Sequence, residues 1–198
     1  MNRTVSHHLN RQSFIFSGIR YALLALVLLQ PAGLLAGGVY QEPDAFIAEA
    51  FDGTPPKPSV LWLDKELKQQ FADILAHPYK GLRIRYWQQQ DKSAWILEEI
   101  GKEKPITVGF VVRDGRIQQV KVLVFRESRG WEVRHSFFTD QFKQAGLTER
   151  HQLDTRIDNI SGATLSVRAV SKLARIALLL DNRVNETRTS QIDTSSRG

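Results

Sequence analysis

Residues 105–125 have the pattern of a β-hairpin, which requires an antiparallel sheet in this chain. Apolar and β-branched side chains alternate on both sides of Asp114-Gly115, a pair that favours the positive φ angles of a tight turn. Lys121 interrupts the second run, which indicates that the opposite face is partly wet or near a ligand. The positions predicted to face one way are Ile106, Val108, Phe110 and Val112, followed by Val120, Val122 and Val124.

Helices are predicted on both sides of this hairpin, so the fold class is α+β. One helix face follows Asp64, a possible N-cap, and His77-Pro78 ends that helix. A short helix at 136–146 and a final helix at about 166–180 follow the hairpin. The side chains predicted to pack inward are Leu61, Leu63, Leu67 and Phe71 in the first helix, and Phe137, Phe138, Phe142 and Ala145 in the short one.

The remaining segments are short strands or irregular chain. Residues 82–87 and 94–97 have the apolar patterns of strands. Residues 39–59 contain four prolines and a glycine and predict an extended lead-in. Residues 183–198 are polar without periodicity and predict a disordered tail.

Residues 158–166 predict a turn into the final helix that could hold a phosphate. Gly162 can adopt positive φ, and both it and Ala163 are small enough for a ligand to approach the backbone. Helical periodicity follows directly, so the turn lies at a helix N-terminus, where free N–H groups and the helix dipole favour an anion. The alternative is that a hydroxyl in this segment, from Ser161 or Thr164, only caps the helix.

Composition excludes several classes of protein. The 198 residues contain no cysteine, which excludes disulfides, cysteinyl iron–sulfur clusters and thioether-linked haem. The net charge of +6 does not indicate nucleic-acid binding, because no basic stripe with interleaved aromatic residues is present. The five histidines have no metal-ligand spacing. An electron carrier of this composition would need an organic cofactor.

Residues 1–38 predict a secretory signal or a membrane anchor. A basic leader precedes an apolar core at 21–29, and small residues permit cleavage after Gly38. The alternative is an anchor, because residues 21–40 are just long enough to span a bilayer, although Pro31 weakens that interpretation. In both cases the basic leader stays inside, so the body of the protein is expected outside the cytoplasm.

Residues 158–166 resemble the flavin-attachment signature of the FMN-binding domain family, in which an Asp precedes Ser/Thr-Gly-Ala-Thr and a later Ser or Thr. This family includes the G subunit of the Rnf complex and the C subunit of the sodium-translocating NADH:quinone reductase. The resemblance covers about residues 104–182 and implies a twisted antiparallel sheet with flanking helices, preceded at 39–103 by the lead-in, a helix and the first strands. It implies that Thr164 carries FMN through a phosphoester bond, with Asp158, Ser161, Gly162, Ala163 and Ser166 around it.

The end of the second hairpin strand carries a partial resemblance to the same family. Phe125 to Ser128 is similar to a His-x-Glu-Thr segment that lies over the flavin, with only the acid, Glu127, kept. Glu127 could accept a hydrogen bond from the ribityl chain or the ring. The alternative is a set of exposed ion pairs with nearby arginines. Trp131 is a weaker candidate to cover the flavin. Arg126, Arg129, Arg134 and Arg168 are candidates to stabilise its negative charge.

The resemblance implies an exported electron-transfer flavoprotein rather than a stand-alone enzyme. A separate flavin transferase would deliver FMN from FAD, and Asp158 would present Thr164 to it or stabilise the turn as an Asx-type cap. The expected location is the periplasm or the outer face of the cytoplasmic membrane, with a membrane redox protein as partner and no nucleic acid or metal. Two alternatives remain open: a periplasmic flavin-dependent reductase of a small acceptor, and a non-redox FMN-binding module for assembly or sensing.

Overall fold

The computed structural model describes the backbone of residues 38–195, so the predicted signal or anchor lies outside the described residues apart from Gly38. The centre of the fold is a five-stranded antiparallel sheet in which each strand pairs with the next along the chain. With its helices this confirms the α+β class. The strands are β1 (Ser59–Trp62), β2 (Arg83–Gln89), β3 (Lys92–Ile100), β4 (Pro105–Arg113) and β5 (Arg116–Phe125). The α-helices are α1 (Pro43–Ala50), α2 (Lys65–Leu75), α3 (Ser136–Thr139) and α4 (Thr164–Ser195).

Strands β4 and β5 form the predicted hairpin. Its turn is made by Asp114 at φ 51° and Gly115 at φ 68°, the left-handed pair that a two-residue hairpin turn requires. The predicted inward side chains of β4 are fully buried. The hairpin therefore forms one edge of the sheet, and its inward side chains belong to the main core.

Helix α1 covers the hairpin face that the sequence suggested to be wet. Phe46 of α1 is fully buried and packs so closely on Gly109 of β4 that a Cβ at Gly109 would lie 2.5 Å from its ring. Lys121 on β5 places its Nζ 2.9 Å from a carboxylate oxygen of Glu49 in α1. Lys121 is half-exposed, so the prediction that this face is partly wet is confirmed at its position. The predicted irregular lead-in contains α1 because Pro43 is tolerated in the first turn of a helix.

Helix α2 begins as predicted, but it is preceded by a strand. Asp64 is its N-cap, and its Oδ1 accepts a hydrogen bond from the Leu67 N–H at 2.8 Å. Leu61 does not belong to this helix, because it lies in β1 and pairs with Ile84 of β2. Leu61 pairs with a strand some 20 residues further along the chain. Helical periodicity near Asp64 cannot predict such a long-range contact.

The short helix after the hairpin is smaller than predicted and exposes one of its aromatic side chains. α3 ends at Thr139 and a 3-10 helix continues from Asp140 to Phe142. Phe138 and Phe142 are fully buried, as predicted, whereas Phe137 is 60% exposed. The inward placement predicted for Phe137 is therefore wrong, because adjacent helical side chains cannot both face the core.

Helix α4 is longer than predicted and packs on the sheet. It spans 32 residues, so the disordered tail predicted from residue 183 is wrong for 183–195. Its second half is held by side-chain contacts: Val184 is buried, and Asn185 accepts a hydrogen bond from Gln88 at 2.8 Å. Asp181 is fully buried and accepts a hydrogen bond from Ser93 of β3. No helix in the described part of the chain is both long and apolar enough to cross a membrane.

His77, just beyond α2, is expected to make stability depend on pH. Its Nε2 lies 3.0 Å from Oε1 of the buried Glu99, and this hydrogen bond raises the pKa of His77 above its usual value. The stabilisation is therefore complete below the unfolded pKa of about 6.5 and is lost as the pH rises through the folded pKa. We expect His77→Ala to flatten the pH dependence of the thermal unfolding temperature above about pH 6. An unchanged slope in the variant would contradict this assignment.

Candidate functional site

The predicted turn opens onto a cavity of about 610 Å³. Three segments meet there: the β3–β4 turn, the loop after β5 and the first turn of α4. Its volume lies within the range of about 300–1,000 Å³ that is usual for small-molecule sites. The lining residues are Lys102, Glu127, Ser128, Arg129, Gly162, Ala163, Thr164, Leu165 and Ser166.

A larger groove of about 880 Å³ lies elsewhere, on the outer face of β2 and β3. Trp87 and Ile96 contribute to its floor, and Arg83, Arg85 and Glu98 contribute charged side chains. None of the residues assigned to the flavin site by the family resemblance lines this groove. The larger groove is therefore not the candidate site. The smaller cavity is, because predicted site residues such as Thr164 and Glu127 line it.

The N-terminus of α4 lacks a side-chain cap. The first helical hydrogen bond runs from the Val167 N–H to the Ala163 carbonyl at 2.9 Å, which makes Ala163 the N-cap residue. An alanine has no oxygen to accept from the N–H groups of the first turn. The alternative in which Ser161 or Thr164 caps the helix is therefore wrong. The first-turn N–H groups have no intrahelical acceptor and suit an anion.

Gly162 leaves room for such an anion. Its φ is 84°, a conformation that side chains with a Cβ rarely adopt. A Cβ built at this position would meet nothing within 4 Å. The glycine thus keeps both the backbone conformation and open space next to the start of the helix.

Thr164 is the first residue of α4, half-buried, and its side chain is oriented by a neighbour. The Nδ2 of Asn159 donates a hydrogen bond to Oγ1 of Thr164 at 3.0 Å. Asn159 is not among the residues predicted for the site, although Asn is a common side chain for hydrogen bonding within a turn. The threonine hydroxyl therefore lies at the cavity and keeps its own proton available.

Asp158 is exposed and does not act as the predicted Asx-type cap. Its carboxylate pairs with Arg156 at 3.6 Å, and its backbone N–H donates to Oε1 of Gln141 at 2.7 Å. The side chain that contacts Thr164 is that of the following residue, Asn159. A role of Asp158 in presenting Thr164 to another protein stays a prediction.

Glu127 is buried and holds the β3–β4 turn. Its Oε1 accepts hydrogen bonds from the backbone N–H groups of Lys102, Glu103 and Lys104 at 2.5, 2.6 and 2.9 Å. Burial alone would raise the pKa of Glu127, but these three donors together lower it below its usual value. The alternative of exposed ion pairs with arginines is wrong, since the side chain is only 8% exposed. Glu127 thus fixes Lys102 at the rim of the cavity.

Gly130 brings the loop after β5 directly onto the first turn of α4. A Cβ at Gly130 would lie 2.5 Å from Oγ of Ser166 and 3.5 Å from Cα of Ala163. Its φ is also positive, at 86°. Ser166 is buried beneath this glycine and lines the cavity. This close approach holds the loop after β5 against the first turn of α4, the two segments that form most of the cavity.

We expect Gly130→Ala to cost about 2–4 kcal/mol of stability, because the new Cβ adds overlap with Ser166 to an unfavourable φ. Gly162→Ala is the matched control, with a similar φ and open space, and should cost only about 1–2 kcal/mol. Chemical denaturation of both variants measures the difference. Equal losses would show that the contact with Ser166 has no effect.

The cationic candidates separate into those at the cavity and those elsewhere. Arg129 lines the cavity, together with Lys102, which is not among the predicted site residues. Arg126 instead contacts Glu98 and Thr107 on the sheet. The remaining candidates, Arg134 and Arg168, are exposed and are not among the lining residues.

Trp131 lies near the cavity but does not line it. Its ring packs under the guanidinium of Arg134 at 5.0 Å and edge-on to His135 at 5.4 Å. It is 44% exposed. That Trp131 covers the flavin stays a prediction.

Comparison with known families agrees with this geometry. Residues 101–179 match the model of the FMN-binding domain family, and the match includes every residue that lines the cavity. No match to a curated protein or to a solved structure was found. Within residues 38–195 no group of three or more His, Cys, Asp or Glu side chains could hold a metal ion.

Proposed function

Since residues 101–179 of this chain form a domain of the FMN-binding domain family, we propose that the protein is an electron-transfer flavoprotein with FMN joined to Thr164. The observation that carries the proposal is the position of the Thr164 hydroxyl, in one cavity with the uncapped N-terminus of α4. An oxygen nucleophile and an anion site are the two groups that a phosphoester of FMN would need.

The residues of the cavity fit a phosphate in charge and in space. The first-turn N–H groups of α4 and the open space at Gly162 suit its oxygens. Lys102 and Arg129 supply positive charge for the single negative charge that a phosphodiester keeps. Ser166 lines the cavity beneath Gly130, and the one carboxylate in the lining, that of Glu127, accepts hydrogen bonds from three backbone N–H groups.

Attachment would form a phosphoester at the Thr164 oxygen. The Oγ1 would attack the phosphorus on the FMN side of FAD and displace AMP at the bridging oxygen, and the hydroxyl proton would pass to a base of a flavin transferase that works with Mg²⁺. Asn159 donates to Oγ1, so it orients the oxygen without competing for that proton. The exposed Asp158 is available for contact with the transferase.

The attached group would serve electron transfer outside the cytoplasm. When bound, FMN supplies one- or two-electron chemistry, and the protein supplies binding and electrostatics. A covalent link prevents loss of the cofactor in a compartment that does not provide it. We place the protein in the periplasm or at the outer face of the cytoplasmic membrane, with a membrane redox protein as its partner.

Two measurements test this function. The exported protein, coexpressed with a flavin transferase, is run on a denaturing gel under ultraviolet light, and fluorescence that migrates with the chain is expected. The flavin absorbance is then followed on mixing with native membranes or with a small quinone or ferric chelate alone. Electron exchange with membranes only supports the carrier function, whereas sustained turnover with the small acceptor indicates the reductase alternative.

A further inference from the structure

An aromatic surface lies next to the cavity, formed by Tyr40, Trp131, Arg134, His135 and Phe137. We propose that this aromatic surface docks on an anionic lipid bilayer and turns the cavity toward the membrane. Vesicle binding does not require flavin, so this inference stands or fails independently of the proposed function.

The five side chains form one continuous surface. The guanidinium of Arg134 lies 4.5 Å from the ring centre of Tyr40 and 5.0 Å from that of Trp131. Trp131 contacts the ring of His135, which stacks on Phe137 at 6.1 Å between ring centres. Each contact links a residue to the next, so the side chains present their apolar area together.

Three large aromatic side chains of this surface are exposed. Trp131 and Phe137 are 44% and 60% exposed, and Tyr40 is 39% exposed. Their neighbours in sequence, Val133 and Phe138, are fully buried and fix the backbone beneath them. Clustered exposed aromatic residues mark interaction sites, and tryptophan and tyrosine favour the interface between lipid and water.

The charges of the same region favour anionic headgroups. Arg134 and Arg129 are exposed, and cations near an anionic bilayer strengthen binding to it. Glu132, the acid of the same 3-10 helix, has one carboxylate oxygen buried. Asp140 is neutralised by Lys143 at 3.0 Å.

The path of the chain favours a membrane over a protein partner. Residues 1–38, for which a secretory signal or a membrane anchor is predicted, end two residues before Tyr40 in the sequence. Gly38 accepts a hydrogen bond from the Phe125 N–H at 3.1 Å, and the Tyr40 N–H donates to the Leu123 carbonyl at 2.8 Å. The chain that follows the predicted signal or anchor is therefore fixed on β5, and the ring of Tyr40 contacts Arg134.

The test measures whether Trp131 enters lipid. The full chain is reconstituted in vesicles of phosphatidylglycerol and phosphatidylethanolamine whose acyl chains are brominated near the headgroup. We expect bromine to quench the tryptophan fluorescence of the wild type, and most of this quenching to be lost in Trp131→Phe. Arg134→Glu is expected to reduce it, and so is replacement of phosphatidylglycerol by neutral phosphatidylcholine.

Trp62→Phe is the matched control. Trp62 is 64% exposed and lies under Arg83 at 5.6 Å, so its environment is similar, but it belongs to β1 at the opposite edge of the sheet. Its removal should leave the bromine quenching unchanged. Equal quenching in wild type and Trp131→Phe would overturn the proposal. Protection of Trp131 from acrylamide by native membranes but not by lipid vesicles would also overturn it, and would assign the surface to a protein partner.

Discussion

Replacing Thr164 with alanine should abolish a mass gain of about 438 Da, the mass of one FMN less water, that we expect for the wild-type protein coexpressed with a flavin transferase. The reason is chemical: alanine has no oxygen to attack phosphorus. Three hydroxyl side chains line the cavity, those of Ser128, Thr164 and Ser166, and Asn159 donates a hydrogen bond to that of Thr164. Intact mass of the purified exported protein measures the result directly.

Two variants make this result specific. Ser161→Ala removes an exposed hydroxyl from the same turn and should keep the full mass gain. Thr164→Ser keeps an oxygen and should keep part of it, since the hydroxyl loses the rotamer restriction of a β-branched side chain. A mass gain in Thr164→Ala would contradict the attachment site. No gain in the wild type, with a transferase active on another substrate, would leave non-covalent FMN binding.

Replacing Glu127 with alanine should cost about 2–4 kcal/mol of folding free energy, because three backbone N–H groups lose a buried charged acceptor at once. The turn that carries Lys102 would loosen, so FMN attachment should also slow. Urea denaturation measures the stability, and the rate of mass gain measures attachment.

Glu103→Ala is the control for this effect. Glu103 lies in the same turn, and its carboxylate makes only an exposed pair with Lys102 at 3.2 Å, so we expect a change within about 0.5 kcal/mol.

Because the folded pKa of Glu127 is lowered, its stabilisation is complete above the unfolded pKa of about 4.3 and is lost as the pH falls through the folded pKa. The gap between wild type and Glu127→Ala should therefore shrink below about pH 4. If the stability difference between the two proteins did not change with pH, the charge of Glu127 would not be the cause of the stabilisation.

Local patterns predicted the parts of the site that depend on neighbouring residues. Small residues predict the turn at residues 158–166, and helical periodicity predicts the helix that follows it. The same holds for the Asp114-Gly115 turn and the N-cap at Asp64. In each case the prediction rests on residues a few positions apart, and their conformational preferences do not depend on the rest of the chain.

The elements that were missed depend on partners far along the chain. α1 is held by Phe46 on Gly109, and β1 by pairing with β2, so neither has a strong pattern of its own. The last turns of α4 are polar in sequence, but Val184 is buried and Asn185 bonds to Gln88, which stabilises the helix beyond its intrinsic propensity.

The sequence by itself determined the hairpin, the α+β class and the placement of Thr164 at the start of a helix. Only the tertiary structure decided which side chains surround that threonine. Glu127 is similar to a flavin contact in sequence, but the fold turns it toward three backbone N–H groups of another turn, and so brings Lys102 to the cavity. A buried carboxylate needs donors, and where it finds them depends on which segments the sheet brings together.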